Sequence, residues 1–196
     1  MNEQEIIQEF KNAGAILSGH FVLSSGLHSS TYLQCARVLT DAKRGERLCA
    51  ALAEKVKKEA DNIDIIVAPA MGGVVVGYEM ARQLALPGMF CERVDGKFEL
   101  RRGFGIEQGQ RVLIVEDVVT TGKSSMEAAE CIKRYGGEPV AVTSLVDRRS
   151  DNDTALTLPL VSLLKLDIPT YKEEELPEEL KSIPVEKPGS RFLKAS

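Results

Sequence analysis

The sequence contains no tryptophan, and aromatic residues make up only 5% of its 196 residues. Proteins that bind single-stranded nucleic acid stack the bases on aromatic side chains, so this scarcity argues against such a role. The net charge of −4 also argues against a protein that binds a nucleic-acid backbone, because such proteins usually carry a basic face. We therefore expect no nucleic-acid partner, although a local basic cluster can still bind a small phosphorylated ligand.

Cysteine and histidine are also few. The cysteines lie far apart without a CxxC pair, and the chain has only two histidines, which gives little support for a zinc cluster. The acidic, amphipathic start MNEQEIIQEFKNAG differs from a signal peptide, and no apolar run approaches the roughly 20 residues of a membrane helix. These features predict a cytoplasmic protein with no membrane partner and with reduced, mostly buried thiols at Cys35, Cys49, Cys91 and Cys131.

Strand and helix patterns alternate from Ile63 onward, which predicts an α/β fold with a mostly parallel sheet flanked by helices. Before this region, the spacing of Ile6, Ile7 and Phe10 predicts a short helix, and residues 15–35 read as two or three short strands. The predicted strands of the main sheet are 63–70, 89–93, 111–116, 139–147 and 158–166, and the predicted helices are 3–13, 41–60, 74–84, 123–135 and 173–181.

Three regions follow from this pattern. Residues 1–40 form the N-terminal helix and a small subdomain, residues 41–170 form the α/β core, and residues 171–196 form a C-terminal helix and polar tail. The core contains a polar, Gly-containing loop insertion at about 93–110. A loop of that length is typical of a functional lid or a hairpin insertion.

The end of the third predicted core strand carries most of the chemical information. Ligands of open α/β sheets bind beyond the carboxyl ends of the strands, where Glu116 and Asp117 leave an apolar strand. The following Thr120–Ser124 segment opens a helix, and its backbone N–H groups and hydroxyls are suited to hold a phosphate. An acidic turn with a simple Thr/Ser helix cap is the structural alternative. The spacing is neither that of a GxxxxGK[ST] loop nor that of a GxGxxG fingerprint.

The run VLIVEDVVTTGKS, from Val112 to Ser124, resembles the phosphoribosyl-diphosphate (PRPP) motif of type I phosphoribosyltransferases: four apolar residues, two acids and a Thr/Gly-rich turn. The resemblance implies that Glu116 and Asp117 bind the ribose 2′ and 3′ hydroxyls and that the turn holds the 5′-phosphate. The PRPP-binding residues expected from it are Glu116, Asp117, Val118, Val119, Thr120, Thr121, Gly122, Lys123 and Ser124.

A second segment fits the same family. The residues Ala70, Met71, Gly72 and Gly73 follow the first buried strand, where these enzymes place the loop that binds pyrophosphate. A tight turn without function is the structural alternative, but the position beside the second strand end favours a binding loop.

The base is covered in this family by a hood subdomain, and FVLSSGLHSSTYLQC (Phe21 to Cys35) is similar to the hood of orotate phosphoribosyltransferases. In those enzymes an arginine and a threonine contact orotate, and the matching residues here are Arg148 and Thr120. A planar guanidinium is suited to bind the carboxylate that distinguishes orotate from uracil. Solvated charges in a turn remain the structural alternative for Arg148 and Arg149.

The chain departs from the usual orotate pattern at three places. Ser24 and Gly72 stand where many of these enzymes have lysines, and the loop after Arg93 lacks their histidine. The variant loop ERVDGKFELRRGF also resembles one subset of bacterial orotate phosphoribosyltransferases. We expect Lys97, Arg93 and Asp117 to be catalytic, with Arg101 or Arg102 joining Lys97 and Arg93 over the pyrophosphate; a rigid hairpin is the alternative for the loop.

The resemblance implies transfer of a phosphoribosyl group from PRPP to orotate, giving orotidine 5′-monophosphate and pyrophosphate on the route to UMP. It also implies Mg²⁺, without identifying a direct protein ligand, and a homodimer with shared active-site loops. The alternatives are transfer to a purine base or uracil, or a regulator that senses PRPP.

Overall fold

The computed structural model describes residues 1–23, 26–150 and 153–187. Within these ranges the chain forms a six-stranded sheet flanked by helices and a separate three-stranded sheet. In chain order the elements are α1 (Glu3–Asn12), β1 (Ile16–Val22), β2 (His28–Leu33), a 3₁₀ helix (Cys35–Thr40), α2 (Ala42–Glu59), β3 (Ile65–Pro69), α3 (Gly72–Leu84), β4 (Gly88–Val94), β5 (Lys97–Glu99), β6 (Arg111–Val119), α4 (Lys123–Arg134), β7 (Glu138–Asp147), β8 (Leu160–Lys165), a second 3₁₀ helix (Glu173–Glu175), α5 (Glu178–Lys181) and β9 (Val185–Glu186).

The main sheet has the order β5-β4-β3-β6-β7-β8, and all neighbouring strands except β4 and β5 are parallel. The predicted α/β fold with a mostly parallel sheet is therefore confirmed. Helices α1, α2 and α3 contribute to the apolar core on one face, and α4 covers the other face. Because both faces are covered, central strands such as β3 are buried along their whole length.

Side-chain caps explain where two helices begin. The Asn2 side chain accepts a hydrogen bond from the Glu5 N–H, and the Glu5 carboxylate accepts one from the Asn2 N–H, which is a capping box at α1. The Asp41 carboxylate accepts from Lys43 and Arg44 at the start of α2. Both helices then bury the apolar faces that their sequence periodicity predicts.

The prediction of one charged helix over 173–181 is wrong. The segment contains a short 3₁₀ turn at Glu173–Glu175 and a separate four-residue helix at Glu178–Lys181. Leu176 between them is extended, with φ −61° and ψ 129°, because the residue before a proline disfavours the helical conformation. Pro177 then precedes the first turn of α5, where its missing N–H costs nothing.

The polar insertion at 93–110 begins as a hairpin. Strands β4 and β5 pair in antiparallel fashion around a turn at Asp95 and Gly96, both of which have positive φ. Phe98 is buried beneath the hairpin, and its carbonyl accepts a hydrogen bond from Arg134 at 2.6 Å. The hairpin is therefore packed against α4.

The small sheet has the order β2-β1-β9. Its β1–β2 hairpin is the strand pair predicted for residues 15–35, but β9 was expected to be polar tail. In β9, Val185 and Glu186 pair in parallel with His20 and Phe21 of β1. The C-terminal segment thus completes the subdomain that the N-terminal residues begin. Within the described residues, every helix is too short or too polar to span a lipid bilayer.

Candidate active site

The two acids at the end of β6 point to opposite faces of the sheet, as neighbouring strand residues do. Glu116 is buried, and its carboxylate accepts a hydrogen bond from the Ser125 hydroxyl on α4 at 3.4 Å. Burial, reinforced by the nearby charge of Asp117, raises the pKa of Glu116 to about 7. A carboxyl group with such a pKa is able to exchange its proton near neutral pH, which is common at functional sites.

Asp117 faces α3. Its carboxylate accepts a hydrogen bond from the Val118 N–H at 2.9 Å, and burial raises its pKa above the ordinary value. A Cβ added to Gly72 would lie 2.7 Å from Asp117 Oδ1, so the two segments meet at the first turn of α3. The structure therefore brings the predicted pyrophosphate loop and the predicted ribose-binding acid together.

The predicted phosphate loop connects β6 to α4. Gly122 is the N-cap of α4 with φ +80° and has no side chain to cap the helix, and the Lys123 N–H donates to the Thr121 hydroxyl at 3.3 Å. A Cβ on Gly122 would lie 2.5 Å from the Cβ of Leu156, so a side chain is excluded by both conformation and space. The exposed Thr120 and Thr121 precede it. The first N–H groups of α4 and the threonine hydroxyls together form a site suited to an anion.

The loop at the end of β3 is shaped by its neighbours. The Ala70 N–H donates to the Cys91 carbonyl at 2.8 Å, and the Ala70–Met71 peptide bond is cis. A Cβ on Gly73 would lie 2.7 Å from the Val115 carbonyl oxygen, which explains a glycine at this position. Met71 is 84% exposed, so this loop forms an open rim beside Asp117.

Arg148 lies under the small sheet and has an unsatisfied donor. Its backbone N–H donates to the Val119 carbonyl at 2.8 Å, which fixes it beside the phosphate loop. Its side-chain Nε is buried and has no partner among the described residues. Burial lowers the pKa of Arg148, and a smaller electrostatic effect of nearby Tyr32 on β2 opposes this shift. A buried donor without a partner is costly, so this guanidinium is suited to a ligand that supplies an acceptor.

Arg149 differs from its neighbour. Its Nε and Nη2 both donate to the Asp147 carboxylate at 3.0 Å, and this hydrogen-bonded pair raises the pKa of Arg149. The turn therefore contains one arginine that is satisfied within the protein and one that is not. This observation favours a binding role for Arg148 over a solvated charge.

The basic residues of the hairpin differ in their partners. The guanidinium of Arg93 is occupied by Glu127 of α4, by the Gly96 carbonyl at 2.9 Å and by the Phe98 ring at 4.2 Å. Lys97 is exposed at the start of β5, and its side-chain ammonium has no hydrogen bond or ion pair to a described residue.

The two arginines after β5 face Glu92. Arg101 and Arg102 lie 3.8 and 3.2 Å from its carboxylate oxygens. Their charges are therefore paired within the hairpin, whereas the ammonium of Lys97 is available to a ligand.

Two residues beside the site were not predicted. The Cys35 thiol, at the end of β2, donates to the Asp117 carbonyl at 3.7 Å and so connects the small sheet to the acids. Leu156 packs against Gly122 from the β7–β8 connection. Nothing in the sequence around Leu156 marks it, because a loop leucine has no periodic pattern. Ser24, the departure noted in the hood pattern, lies outside the described residues.

The comparisons with known proteins agree with this geometry. Residues 37–163 match the phosphoribosyl transferase domain family. The orotate phosphoribosyltransferase of Sphingopyxis alaskensis is 53% identical over 196 residues, covering 100% of both chains. That of Erythrobacter litoralis is 53% identical over 192 residues, covering 97% of this chain and 99% of its own.

Solved structures show the same fold. The orotate phosphoribosyltransferase of Aeropyrum pernix is 28% identical, with a TM-score of 0.68 over 82% of this chain and 93% of its own. An orotate phosphoribosyltransferase of Mycobacterium tuberculosis shares the fold at 23% identity, with a TM-score of 0.66 over 84% of this chain and 95% of its own. The two acids, the predicted phosphate loop and the glycine loop lie together at the carboxyl ends of β6 and β3. In agreement with the family match, the chain belongs to the phosphoribosyl transferase domain family.

Proposed function

We propose that this protein transfers the 5-phosphoribosyl group of PRPP to orotate, giving orotidine 5′-monophosphate and pyrophosphate in the synthesis of UMP. The observation that carries the proposal is the buried, unpartnered Nε of Arg148 beside the phosphate loop. Orotate offers a carboxylate to this donor, and uracil and the common purine bases do not. Full-length relatives at about half identity are named for this activity.

Different residues of the site bind the two substrates. Glu116 and Asp117 accept hydrogen bonds from the ribose hydroxyls, and the loop from Val118 to Ser124 holds the 5′-phosphate at the start of α4. The Ala70–Gly73 loop binds the pyrophosphate group beside Asp117. Thr120 and Arg148 contact orotate from the same side as the phosphate loop, since the Arg148 N–H is bonded to Val119.

The chemistry requires positioning more than covalent help. As pyrophosphate leaves the anomeric carbon, a nitrogen of orotate approaches it, so positive charge develops on the ribose and negative charge on the leaving group. The protein lowers the barrier by holding the reactants in line and by neutralising the leaving group. The exposed ammonium of Lys97 is the hairpin cation available for that neutralisation, because Arg93 is held by Glu127.

The site is also compatible with Mg²⁺. No group of three or more metal-ligating side chains occurs among the described residues, so the protein alone offers no complete cage. Mg²⁺ is commonly held by one or two carboxylates together with substrate phosphates, and Asp117 faces the glycine loop where a side chain would obstruct that space. Asp117 would hold the ion together with the substrate's phosphates, and the ion would supply positive charge against the developing pyrophosphate.

The proposed enzyme is a homodimer. Met71, Val75 and Tyr78 lie along one face of α3 and are 84, 55 and 75% exposed, a large apolar surface beside the pyrophosphate loop. An adjoining groove is lined by Leu86, Phe90 and Phe104. A second copy covering this face would also bring its own loops near the site. Sedimentation of Tyr78→Lys, with Gln8→Lys on α1 as control, tests this; a dimeric Tyr78→Lys would contradict it.

The cytoplasm is the compartment proposed for this enzyme. Its four cysteines are all buried as free thiols, and Cys35 contributes its thiol to a hydrogen bond near the site. Reduced thiols of this kind are typical of cytoplasmic proteins.

The loss of orotate's ultraviolet absorbance on mixing protein, PRPP, Mg²⁺ and orotate tests the activity. Adenine, hypoxanthine, xanthine and uracil are assayed in parallel by pyrophosphate release. We expect turnover of orotate alone, abolished by EDTA. Turnover of a different base would refute the assignment of orotate, and PRPP binding without any turnover would refute the enzyme and favour a PRPP sensor.

A further inference from the structure

Two buried histidines form a hydrogen-bonded chain in the small sheet, away from the substrate-binding residues. His20 is 2% exposed and His28 is 8% exposed. His20 Nε2 lies 2.7 Å from His28 Nδ1, and His20 Nδ1 lies 3.2 Å from the Ile183 carbonyl oxygen. The chain therefore joins β1, β2 and the segment after α5.

The backbone reinforces this connection at both ends. His28 and Tyr171 exchange two hydrogen bonds of 2.8 Å, and His20 pairs with Val185 of β9. The Ser29 hydroxyl also donates to the Pro169 carbonyl at 2.9 Å. The C-terminal segment is thus attached to the β1–β2 hairpin on either side of the histidine pair.

The β1–β2 hairpin lies next to the part of the site that is proposed to bind orotate. Strand β2 carries Tyr32, which lies close enough to Arg148 to affect its pKa, and it ends near Cys35, whose thiol donates to the Asp117 carbonyl. The Phe21 ring, next to His20, packs against the Tyr32 ring with centroids 5.7 Å apart. A shift of the hairpin would therefore move Tyr32 relative to Arg148.

We propose that His20 and His28 are positioning residues that anchor the base-covering hairpin to the C-terminal segment and thereby set the affinity for orotate. This inference rests on the proposed function. The anchor acts mainly on the orotate side of the site because its contacts run through β2, which carries Tyr32. The hairpin meets β6 where the Cys35 thiol donates to the backbone carbonyl of Asp117, not to its carboxylate.

Hydrogen-bond counting gives the direction of each bond in this chain. The Ile183 carbonyl only accepts, so His20 Nδ1 carries a proton, and in the neutral pair His28 Nδ1–H donates to His20 Nε2.

The charged and titratable groups on the neighbouring elements do not change that count. Tyr171 lies opposite His28, Glu186 of β9 lies opposite Phe21, and Lys181 of α5 is paired with Glu178 at 2.6 Å. Within the described part of the chain, none of them is hydrogen-bonded or ion-paired to either imidazole.

The test compares His28→Leu with His28→Asn. Leucine removes the donor, whereas the asparagine amide places a non-titrating N–H near the position of Nδ1. We expect His28→Leu to raise the KM for orotate about tenfold, the effect of one lost buried hydrogen bond, with the KM for PRPP unchanged. His28→Asn should restore the KM for orotate, because its amide N–H again supplies the donor to His20 Nε2.

Equal KM changes for both substrates, or an asparagine variant as impaired as the leucine variant, would overturn the proposal. If His28→Leu does not fold, a chain ending at Ser182 removes the Ile183 acceptor and β9 instead. An unchanged KM for orotate in that chain would also overturn it. Turnover by the unsubstituted chain tests the proposed function. Faster amide exchange over His28–Leu33 in the leucine variant tests the anchor without any assay of activity. The proposed function and the anchor can therefore be refuted independently.

Discussion

Gly72 and Asp117 are in such close contact that a Cβ on Gly72 would lie 2.7 Å from Asp117 Oδ1. Real Cβ atoms do not approach an oxygen so closely, so alanine at this position would displace either the carboxylate or the first turn of α3. Because both groups belong to the proposed PRPP site, the contact makes Gly72 a sensitive probe of that proposal.

We expect Gly72→Ala to lower kcat/KM for PRPP by about a hundredfold, the loss that a displacement of about 1 Å can cause in a positioned site. Gly105→Ala is the matched control, since a Cβ there meets nothing within 4 Å. Steady-state kinetics of both variants check the prediction. Similar activity in the two variants would contradict the assigned role of the loop.

A second glycine tests the phosphate loop. Gly122→Ala combines a positive φ with a Cβ 2.5 Å from Leu156, and Gly109→Ala has the same φ of +80° with open space. We expect Gly109→Ala to lower the free energy of unfolding by about 1 kcal/mol, and Gly122→Ala by about 1–3 kcal/mol more because of the clash. Urea unfolding measures both, and equal losses would show that Leu156 does not restrict the loop.

Glu116 gives a prediction on pH. Its pKa is raised from 4.5 to about 7 by burial, so the protonated form is favoured in the folded state. Its contribution to stability is therefore complete below about pH 4.5 and is lost as pH rises toward 7, by roughly 3 kcal/mol. Glu116→Gln should remove this dependence. The unfolding free energy of the variant should therefore rise relative to that of the unsubstituted protein as pH increases, and the difference should level off above about pH 7.

Denaturant unfolding at several pH values measures that gain. Glu174→Gln makes the same chemical change at an exposed position and serves as the control. A constant difference between Glu116→Gln and the unsubstituted protein across this range would contradict the assigned cause.

Arg148 and Arg149 form a natural pair for mutagenesis. Arg148→Lys loses the planar guanidinium whose Nε is unpartnered, so we expect the KM for orotate to rise by about ten- to a hundredfold. Arg149→Lys disturbs only the pair with Asp147 and should change stability rather than the KM for orotate. The measurement is the KM for orotate of both variants. A larger increase in this KM for Arg149→Lys than for Arg148→Lys would assign orotate binding to Arg149.

Lys97 is tested by its effect on turnover. Removal of its charge should lower kcat, because the ammonium is expected to neutralise the leaving pyrophosphate. We expect Lys97→Ala to reduce kcat by about tenfold or more. Lys133→Ala, which removes a lysine paired with Glu130 on α4, is the control. An unchanged turnover rate in Lys97→Ala would exclude this role.

Local sequence patterns predicted the elements that depend on local physics. The run around β3 is continuous and β-branched, and Asp41 is a good N-cap, so strand and helix were both predictable near their observed bounds. The position of the acids and the Thr/Gly turn was predictable because they follow the end of a parallel strand, whereas their roles remain predictions from a resemblance. The helix over 173–181 failed at Pro177, whose effect on Leu176 overrides the charged helical composition around it.

Contacts between distant segments were not predictable in the same way. Strand β9 is two residues long and has no periodic pattern; it exists because β1 offers an unpaired edge. Leu156 and the His20–His28 pair likewise gain their roles from residues far away in the chain. A single sequence contains no signal for such partners, and only the fold identifies them.

The pairing of β1 with β9 also has a consequence for the order of assembly. Every strand of the six-stranded sheet lies between these two in the chain, so the third strand of the small sheet leaves the ribosome after the whole core. Such long-range pairings form slowly because a large loop must close first. During synthesis, the core, including the predicted phosphate loop, can fold before the three-stranded sheet is complete.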